Sequence, residues 1–189
     1  MTPTTEPTDS EKELELARKE FETTLPKMVY ISGALTDMPE EERARLRTFY
    51  EALGRVCKEF GYAVYIPHIY GDPKLVAHKE PVEIDHMDRL AVTLSYFVVA
   101  YVGVPSLGVG IEIEMAHHAH KPVVLLYEKA KLAERRISRL VRGNPAVSWQ
   151  ISFTDFANAA EELRAFLKER SPFGGLPEQL PLPLCTPRS

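Results

Sequence analysis

One loop of the chain combines residue types that suit anion binding beside a reactive carboxylate. It reads P-S-L-G-V-G-I-E over 105–112 and follows an apolar run. Gly108 and Gly110 let the backbone approach a ligand closely, and a helix predicted to begin here directs free N–H groups and its positive end into the same space. Glu112 falls in the first turn, where the dipole favours ionisation, so we expect a carboxylate at neutral pH. A tight turn without a ligand, and an acid that only complements the dipole, are the open alternatives.

A second acidic group precedes the central apolar run. The helix predicted over 82–93 carries Glu83, Asp85 and Asp88. Asp85 and Asp88 are three residues apart and therefore share a helix face. Two carboxylates around one pocket suit the cleavage of a glycosidic bond, because one attacks the anomeric carbon while the other handles the proton of the leaving group. The alternative is a solvated acidic helix face.

Histidines and arginines give weaker indications. His117, His118 and His120 cluster near the predicted end of a helix, where positive charge is favoured, and the chain has no H-E-x-x-H motif. We therefore expect no metal and no other cofactor. His68 follows the second strand and is better placed to meet a substrate. The arginine-rich stretch 135–142 predicts a solvated helix face, which could also lend positive field to an anion site.

The chain between residues 27 and 170 alternates strand and helix patterns. Strands are predicted at 28–32, 62–67, 95–102, 122–128 and 146–152, and helices at 39–60, 82–93, about 110–120 and 154–168. This alternation predicts an α/β fold with an open parallel sheet and helices on both faces. Ligands in such sheets bind beyond the carboxyl ends of the strands, which here means the loops after Ile31, Ile66 and Val102.

Two local features complete this prediction. Asp37 is the expected N-cap of the helix over 39–60, and a polar loop is expected between the second strand and residue 80. In the helix that follows the glycine loop, Ile111, Met115 and Ala119 form one stripe, which we expect to pack on the sheet.

Composition limits the class of protein. The chain has 189 residues and a net charge of −4, so no basic face for a nucleic acid polymer is expected. No apolar run approaches the roughly 18 residues of a membrane span. Cys57 and Cys185 are the two cysteines, which fits a reducing cytoplasm. We predict one domain over 27–170, an N-terminal extension over 1–26 with a helix near 10–23, and a proline-rich tail over 171–189.

Several motifs together resemble the nucleoside 2-deoxyribosyltransferase superfamily, above all its 2'-deoxynucleoside 5'-phosphate N-hydrolase branch. They are V-Y-I-S-G at 29–33, the carboxylate of Asp88, V-V-A at 98–100, P-S-L-G-V-G-x-E at 105–112 and K-P-V-V at 121–124. The resemblance implies a flavodoxin-like (Rossmann-like), five-stranded parallel sheet and a homodimer or larger homo-oligomer with shared active sites. It also implies roles for single residues: Glu112 as nucleophile, Asp88 as an active-site acid, Tyr30 as the tyrosine that contacts sugar and nucleophile, and His68 as a pocket residue.

Two serines favour the hydrolase branch within this resemblance. Ser106 stands where the base-exchanging transferases have an aspartate, and Ser138 aligns with a serine that the hydrolases supply from a partner subunit. A carboxylate would repel a phosphate, whereas hydroxyl and backbone N–H groups donate hydrogen bonds to it. Ser106 and Ser138, with Gly108 and Gly110, are therefore assigned to the phosphate, and Gly33 to the substrate site.

One position departs from the hydrolase pattern. Thr36 stands where that branch often has an arginine. An arginine from 135–142 could take over its role at the phosphate.

The resulting expectation is an enzyme that hydrolyses the N-glycosidic bond of a small-molecule 2'-deoxynucleoside 5'-monophosphate. Glu112 would form a covalent glycosyl intermediate, Asp88 would protonate the leaving base or position a water, and Tyr30 would crowd a 2'-hydroxyl. Three alternatives stay open: a transferase that exchanges bases, a hydrolase of ribonucleotides such as CMP, and a nucleotide sensor without catalysis. Purine and pyrimidine bases are not distinguished.

Overall fold

A computed structural model describes residues 27–71 and 79–170 of the chain. The predicted helix near 10–23, the extension over 1–26 and the tail over 171–189, with Cys185, lie outside the described residues. The domain bounds of 27–170 therefore stay a prediction.

The strands and helices alternate along the described part. The strands are β1 (Met28–Ser32), β2 (Ala63–Tyr65), β3 (Ser95–Tyr101), β4 (Val123–Glu128) and β5 (Val147–Phe153). The helices are α1 (Glu40–Glu59), α2 (Pro67–Gly71), α3 (Pro81–Leu94), α4 (Leu107–His118), α5 (Lys129–Ala133), α6 (Arg139–Arg142) and α7 (Phe156–Arg170). In this part of the chain, no helix is both long enough and apolar enough to cross a membrane.

The five strands form one parallel sheet in the order β2-β1-β3-β4-β5. This is the flavodoxin-like order, in which successive strands are added first to one side of β1 and then, from β3 onward, to its other side. The predicted α/β class and sheet are thereby confirmed. Because the strands are parallel, the loops after β1, β2 and β3 all leave from the same edge of the sheet.

Helices cover both faces of the sheet and bury its central strands. Helices α1 and α7 pack together over one face, and α3 and α4 pack together over the other. β3 is buried along nearly its whole length, as expected for an apolar central strand without alternation. The face under α3 and α4 carries Tyr30, whose side chain is thereby directed toward α4.

Three local predictions are wrong. Pro39 occupies the N-cap position of α1 without a side-chain hydrogen bond, and Asp37 instead adopts a positive φ of 55° in the turn before it. The polar loop predicted after β2 begins with the short helix α2. In α4, Ile111 is 52% exposed, because Val109 and Ile113 face the sheet in its place.

Candidate active site

The side chain of Glu112 lies against the end of β1. The phenol of Tyr30 donates a hydrogen bond to Oε1 at 2.8 Å, and the hydroxyl of Ser32 donates one to Oε2. Tyr30 and Ser32 are two residues apart in β1 and therefore point to the same face of the sheet, where both are fully buried. Each carboxylate oxygen thus accepts a hydrogen bond from β1, and the two bonds fix the orientation of the carboxylate.

The environment of Glu112 resists its ionisation. Burial raises the pKa of Glu112 from 4.5 to about 7; the hydrogen bonds from Ser32 and Tyr30 oppose this rise, and the charge of Asp88 adds to it. The side chain keeps some exposure to solvent, but no salt bridge joins it to any described residue. Glu112 was expected in the first turn of its helix, where the dipole favours a carboxylate at neutral pH, but α4 begins at Leu107 and its first turn holds no acidic residue. The helix dipole therefore gives Glu112 little support against the effect of burial. A carboxyl group that titrates near pH 7 is typical of functional sites.

Asp88 is the second carboxylate near Glu112. It lies half-buried on α3, and the phenol of Tyr65 in β2 donates a hydrogen bond to its Oδ1 at 3.3 Å. Burial raises the pKa of Asp88; the hydrogen bond from Tyr65 and the nearby phenol of Tyr30 lower it in part, and the charge of Asp85 raises it. Because Asp88 in turn raises the pKa of Glu112, the two acids are electrostatically coupled.

The other two acids of α3 are not part of this group. Asp85 forms an exposed salt bridge to Arg89, with Nε 2.9 Å from Oδ2. Glu83 forms a capping box with Glu80 at the start of the helix. Asp85 and Asp88 were expected to share one face, but only Asp88 turns toward the sheet.

Gly108 and Gly110, predicted to lie in a loop before the helix, belong to the start of α4 and have open space beside them. Ser106 is the N-cap of α4, and its Oγ accepts a hydrogen bond from the N–H of Val109 at 3.4 Å, which leaves its hydroxyl proton free to donate. A methyl group added at Gly108 would make only an ordinary contact, and one added at Gly110 would meet no described atom within 4 Å. Since glycine weakens a helix by about 1 kcal/mol relative to alanine, protein packing gives no reason for these two glycines.

Gly33, by contrast, is explained by packing. A methyl group there would overlap Cζ of Tyr50, a buried ring whose hydroxyl donates to the carbonyl oxygen of Ala34 at 3.0 Å. Glycine at this position lets the tyrosine pack under the loop after β1. Its assignment to the substrate site stays a prediction.

His68 and Ser138 do not contact the carboxylate pair. Nε2 of His68 lies 3.3 Å from Oε1 of Glu51 on α1, and the ring is nearly buried. Ser138 is exposed at the start of α6, where its Oγ accepts a hydrogen bond from the N–H of Val141 at 3.3 Å. The substrate roles of both residues stay predictions.

Two histidines of the predicted cluster contact one glutamate at the surface. His117 and His118 both lie near Oε1 of Glu114, at 3.3 and 3.4 Å. Over the described ranges, no group of three or more His, Cys, Asp or Glu side chains is arranged to hold a metal ion.

A second buried glutamate provides a useful contrast with Glu112. Glu128 lies near the other face of the sheet, where Tyr101 donates to its Oε1 at 2.7 Å and Nζ of Lys131 lies 2.7 Å from the same oxygen. The ammonium group neutralises that carboxylate, as in a structural ion pair. Glu112 is held by hydroxyl groups alone, which orient the carboxylate without neutralising it.

Two members of the site were not predicted from the sequence. Ser32 lies within the V-Y-I-S-G motif, and its spacing of two residues from Tyr30 is the signal that would have indicated it. Tyr65 carries no such signal, because its contact with Asp88 depends on the pairing of β1 with β2.

Comparisons with known proteins identify the fold. No family model and no curated protein sequence matches the chain. Solved structures do: the CMP N-glycosidase BcmB of Clostridium botulinum has 21% identity and a TM-score of 0.57, covering 75% of this chain and 100% of that one. The solution structure of BlsM has 25% identity and a TM-score of 0.56, and the match covers 76% of this chain and 91% of that one. A 2-deoxyribosyltransferase of Bacillus psychrosaccharolyticus has 14% identity and a TM-score of 0.52, with 70% and 90% covered.

The sequence motifs and these structural matches agree. The chain therefore has the fold of the nucleoside 2-deoxyribosyltransferase-like superfamily.

Proposed function

We propose that this protein hydrolyses the N-glycosidic bond of 2'-deoxynucleoside 5'-monophosphates, releasing the free base and 2-deoxyribose 5-phosphate. The observation that carries this proposal is the geometry of Glu112, whose two oxygens are held by Tyr30 and Ser32 beside Asp88 and without a cation. The similar folds of a CMP N-glycosidase and a 2-deoxyribosyltransferase support glycosyl chemistry as the reaction class.

The first half of the reaction forms a covalent intermediate. The ionised carboxylate of Glu112 attacks C1' of the sugar while the bond from C1' to the base breaks, and the electron pair of that bond leaves with the base. In the reactive one-proton form of the coupled pair the proton sits on Asp88, which gives it to the departing base. A glycosyl ester on Glu112 and a carboxylate on Asp88 remain.

The second half releases the sugar. The carboxylate of Asp88 takes a proton from a water molecule as the water oxygen bonds to C1' and the ester bond to Glu112 breaks. Both groups return to their starting states, and one water is consumed for each base released. The hydroxyls of Tyr30 and Ser32 stabilise the carboxylate of Glu112 as it re-forms, and Tyr30 also crowds a 2'-hydroxyl.

The start of α4 suits the 5'-phosphate. The N–H groups of Leu107 and Gly108 belong to the first turn of α4, where backbone donors have no partner within the helix. The positive end of the helix, the hydroxyl of Ser106 and the open space beside Gly110 favour an anion in the same region. In this proposal a partner subunit adds the hydroxyl of Ser138.

An apolar surface supports a homo-oligomer with shared sites. Leu107 at the start of α4 is 89% exposed and Leu140 on α6 is 86% exposed, and further exposed apolar residues lie on α3 and α4. Contiguous exposed apolar residues are typical of an interface with another protein, and in this proposal these residues form one. Because Leu140 is two residues from Ser138, an interface here would bring Ser138 toward a neighbouring site.

Release of free base from a panel of substrates tests the proposal. The panel contains the four common 2'-deoxynucleoside 5'-monophosphates, the matching free deoxynucleosides, and CMP and UMP, with the base quantified by chromatography. We expect release from at least one deoxynucleotide, much less from the free deoxynucleosides and ribonucleotides, and none by a Glu112→Gln variant.

Three other outcomes identify the rival functions. A new nucleoside formed when a second free base is added indicates a transferase. Preferred cleavage of CMP, the substrate named for the fold neighbour from C. botulinum, indicates a ribonucleotide hydrolase. Tight nucleotide binding without release of base indicates a sensor. Near-normal turnover by the Glu112→Gln variant would refute the covalent route.

A further inference from the structure

The pairing of β1 with β2 sets two tyrosines side by side beneath the carboxylates. Tyr30 and Tyr65 are register partners, and their rings stack with centroids 5.4 Å apart and planes 18° apart. Tyr70 of α2 also stacks on Tyr65, at 4.8 Å and 13°. Tyr65 thus stacks on two rings, which restricts the orientations that its ring can adopt.

Each of the two paired phenols serves a different carboxylate. Tyr30 donates to Oε1 of Glu112 at 2.8 Å, and Tyr65 donates to Oδ1 of Asp88 at 3.3 Å. Burial raises the pKa of Tyr65, so the phenol keeps its proton and can donate throughout the pH range in which the carboxylates titrate.

We propose that Tyr65 is a positioning residue that acts on departure of the base through Asp88, a role that rests on the proposed function. Asp88 projects from a helix whose neighbouring acid, Asp85, turns outward to Arg89. The hydrogen bond from Tyr65 holds Asp88 in the opposite direction, toward the sheet and Glu112. A side chain without this bond would be free to turn toward solvent.

The bond also distinguishes the two oxygens of Asp88. A phenol that donates to Oδ1 leaves Oδ2 as the oxygen on which a transferable proton can sit. The charged or titratable groups that act on Asp88 are Tyr65 from β2, Tyr30 from β1, Asp85 from its own helix and Glu112 from α4. Of these groups, Tyr65 is the one that donates to Asp88, because the single phenol proton of Tyr30 is donated to Glu112.

A Tyr65→Phe variant tests this role, because it keeps the ring and its stacking and removes only the donor. We expect kcat for base release to fall about three- to tenfold, a modest loss since a bond of 3.3 Å is long, with KM nearly unchanged. We also expect the Asp88 carboxyl pKa, followed by ¹³C NMR and assigned with an Asp88→Asn variant, to rise by up to about one pH unit because the carboxylate loses a donor.

A matched control removes the same kind of bond elsewhere. Tyr101→Phe deletes a buried phenol that donates to Glu128 at 2.7 Å near the other face of the sheet, and it should leave the pKa of Asp88 unmoved. If the wild type is active but the Tyr65→Phe variant keeps the wild-type kcat, or its Asp88 keeps the wild-type pKa, the role assigned to Tyr65 is wrong. The proposed function is not affected by either result. A wild type that releases no base from any substrate overturns the proposed function and the catalytic role of Tyr65 together.

Discussion

Replacing Glu112 with glutamine should stabilise the protein above neutral pH while it abolishes base release. Burial raises the pKa of Glu112 from 4.5 to about 7 in the folded protein. The folded chain therefore binds this proton more tightly than the unfolded chain, and the free energy of unfolding falls as the pH rises between these two values. Glutamine has no proton to lose and avoids this loss.

The size of the effect follows from the pKa. Each pH unit corresponds to 1.36 kcal/mol, so a rise from 4.5 to about 7 corresponds to about 3 kcal/mol at most. Because Glu112 keeps some contact with solvent, we expect about 2 kcal/mol. Well below pH 4.5 both states are protonated, so the stability difference between wild type and variant is constant there. It grows in favour of the variant up to about pH 7 and is level above pH 8.

Urea denaturation of both proteins between pH 4.5 and 8.5 measures this difference, provided that the m-values agree. A Glu114→Gln variant is the matched control, because Glu114 lies on the same helix but is exposed, and hydrogen bonds from His117 and Asn144 lower its pKa. The control should show no gain in stability with rising pH. If the difference in free energy of unfolding between wild type and Glu112→Gln stays constant from pH 4.5 to 8.5, the pKa of Glu112 is not raised. The argument from burial would then be wrong.

Three further predictions concern the surroundings of the carboxylate. Ser32→Ala removes the donor to Oε2 of Glu112, so the pKa of Glu112 should rise. In a plot of kcat/KM against pH, the acid limb should therefore move to higher pH, and a limb that does not move contradicts the prediction. Gly110→Ala adds a methyl group to a helix with open space around it, so thermal melts should show about 0.5–1 kcal/mol of stabilisation, while KM for a phosphorylated substrate rises severalfold as the methyl group narrows the anion site. A parallel loss of stability would show instead that the space is occupied. Leu140→Glu places a charge on the exposed apolar surface, so the mass measured by light scattering should fall to that of one chain; an unchanged mass excludes α6 from the interface.

The fold was largely predictable because hydrophobic periodicity is a local property. The apolar run over 28–32 coincides with β1, and the run over 95–102 includes β3, since a strand buried on both faces needs continuous apolar residues. The short helix α2 and the N-cap of α1 were predicted wrongly. Residues of α2 contact other elements, His68 meeting Glu51 and Tyr70 stacking on Tyr65, and such contacts are not visible in the local sequence.

The candidate site was predictable only in part. Glu112 and the glycines before it were identified because they follow a strand at the edge where parallel sheets bind ligands. The choice of Asp88 over Asp85 depended on the motif resemblance, since both lie on one predicted helix. Ser32 was missed although it lies in the motif used for the resemblance, and Tyr65 was missed because its partner lies on a different element.

The sequence by itself determined the strands and helices, the polarity of their faces and the residues that lie at the carboxyl edge of the sheet. These features follow from the order of side chains along the chain. Only the tertiary structure decided which of these residues meet and how they titrate. Strand register pairs Tyr30 with Tyr65. Helix packing turns Asp88 inward and buries Glu112, which disfavours the ionised form of its carboxyl group. Hydration of a carboxylate depends on everything that surrounds it in space, so its pKa could not be predicted from its place in a helix.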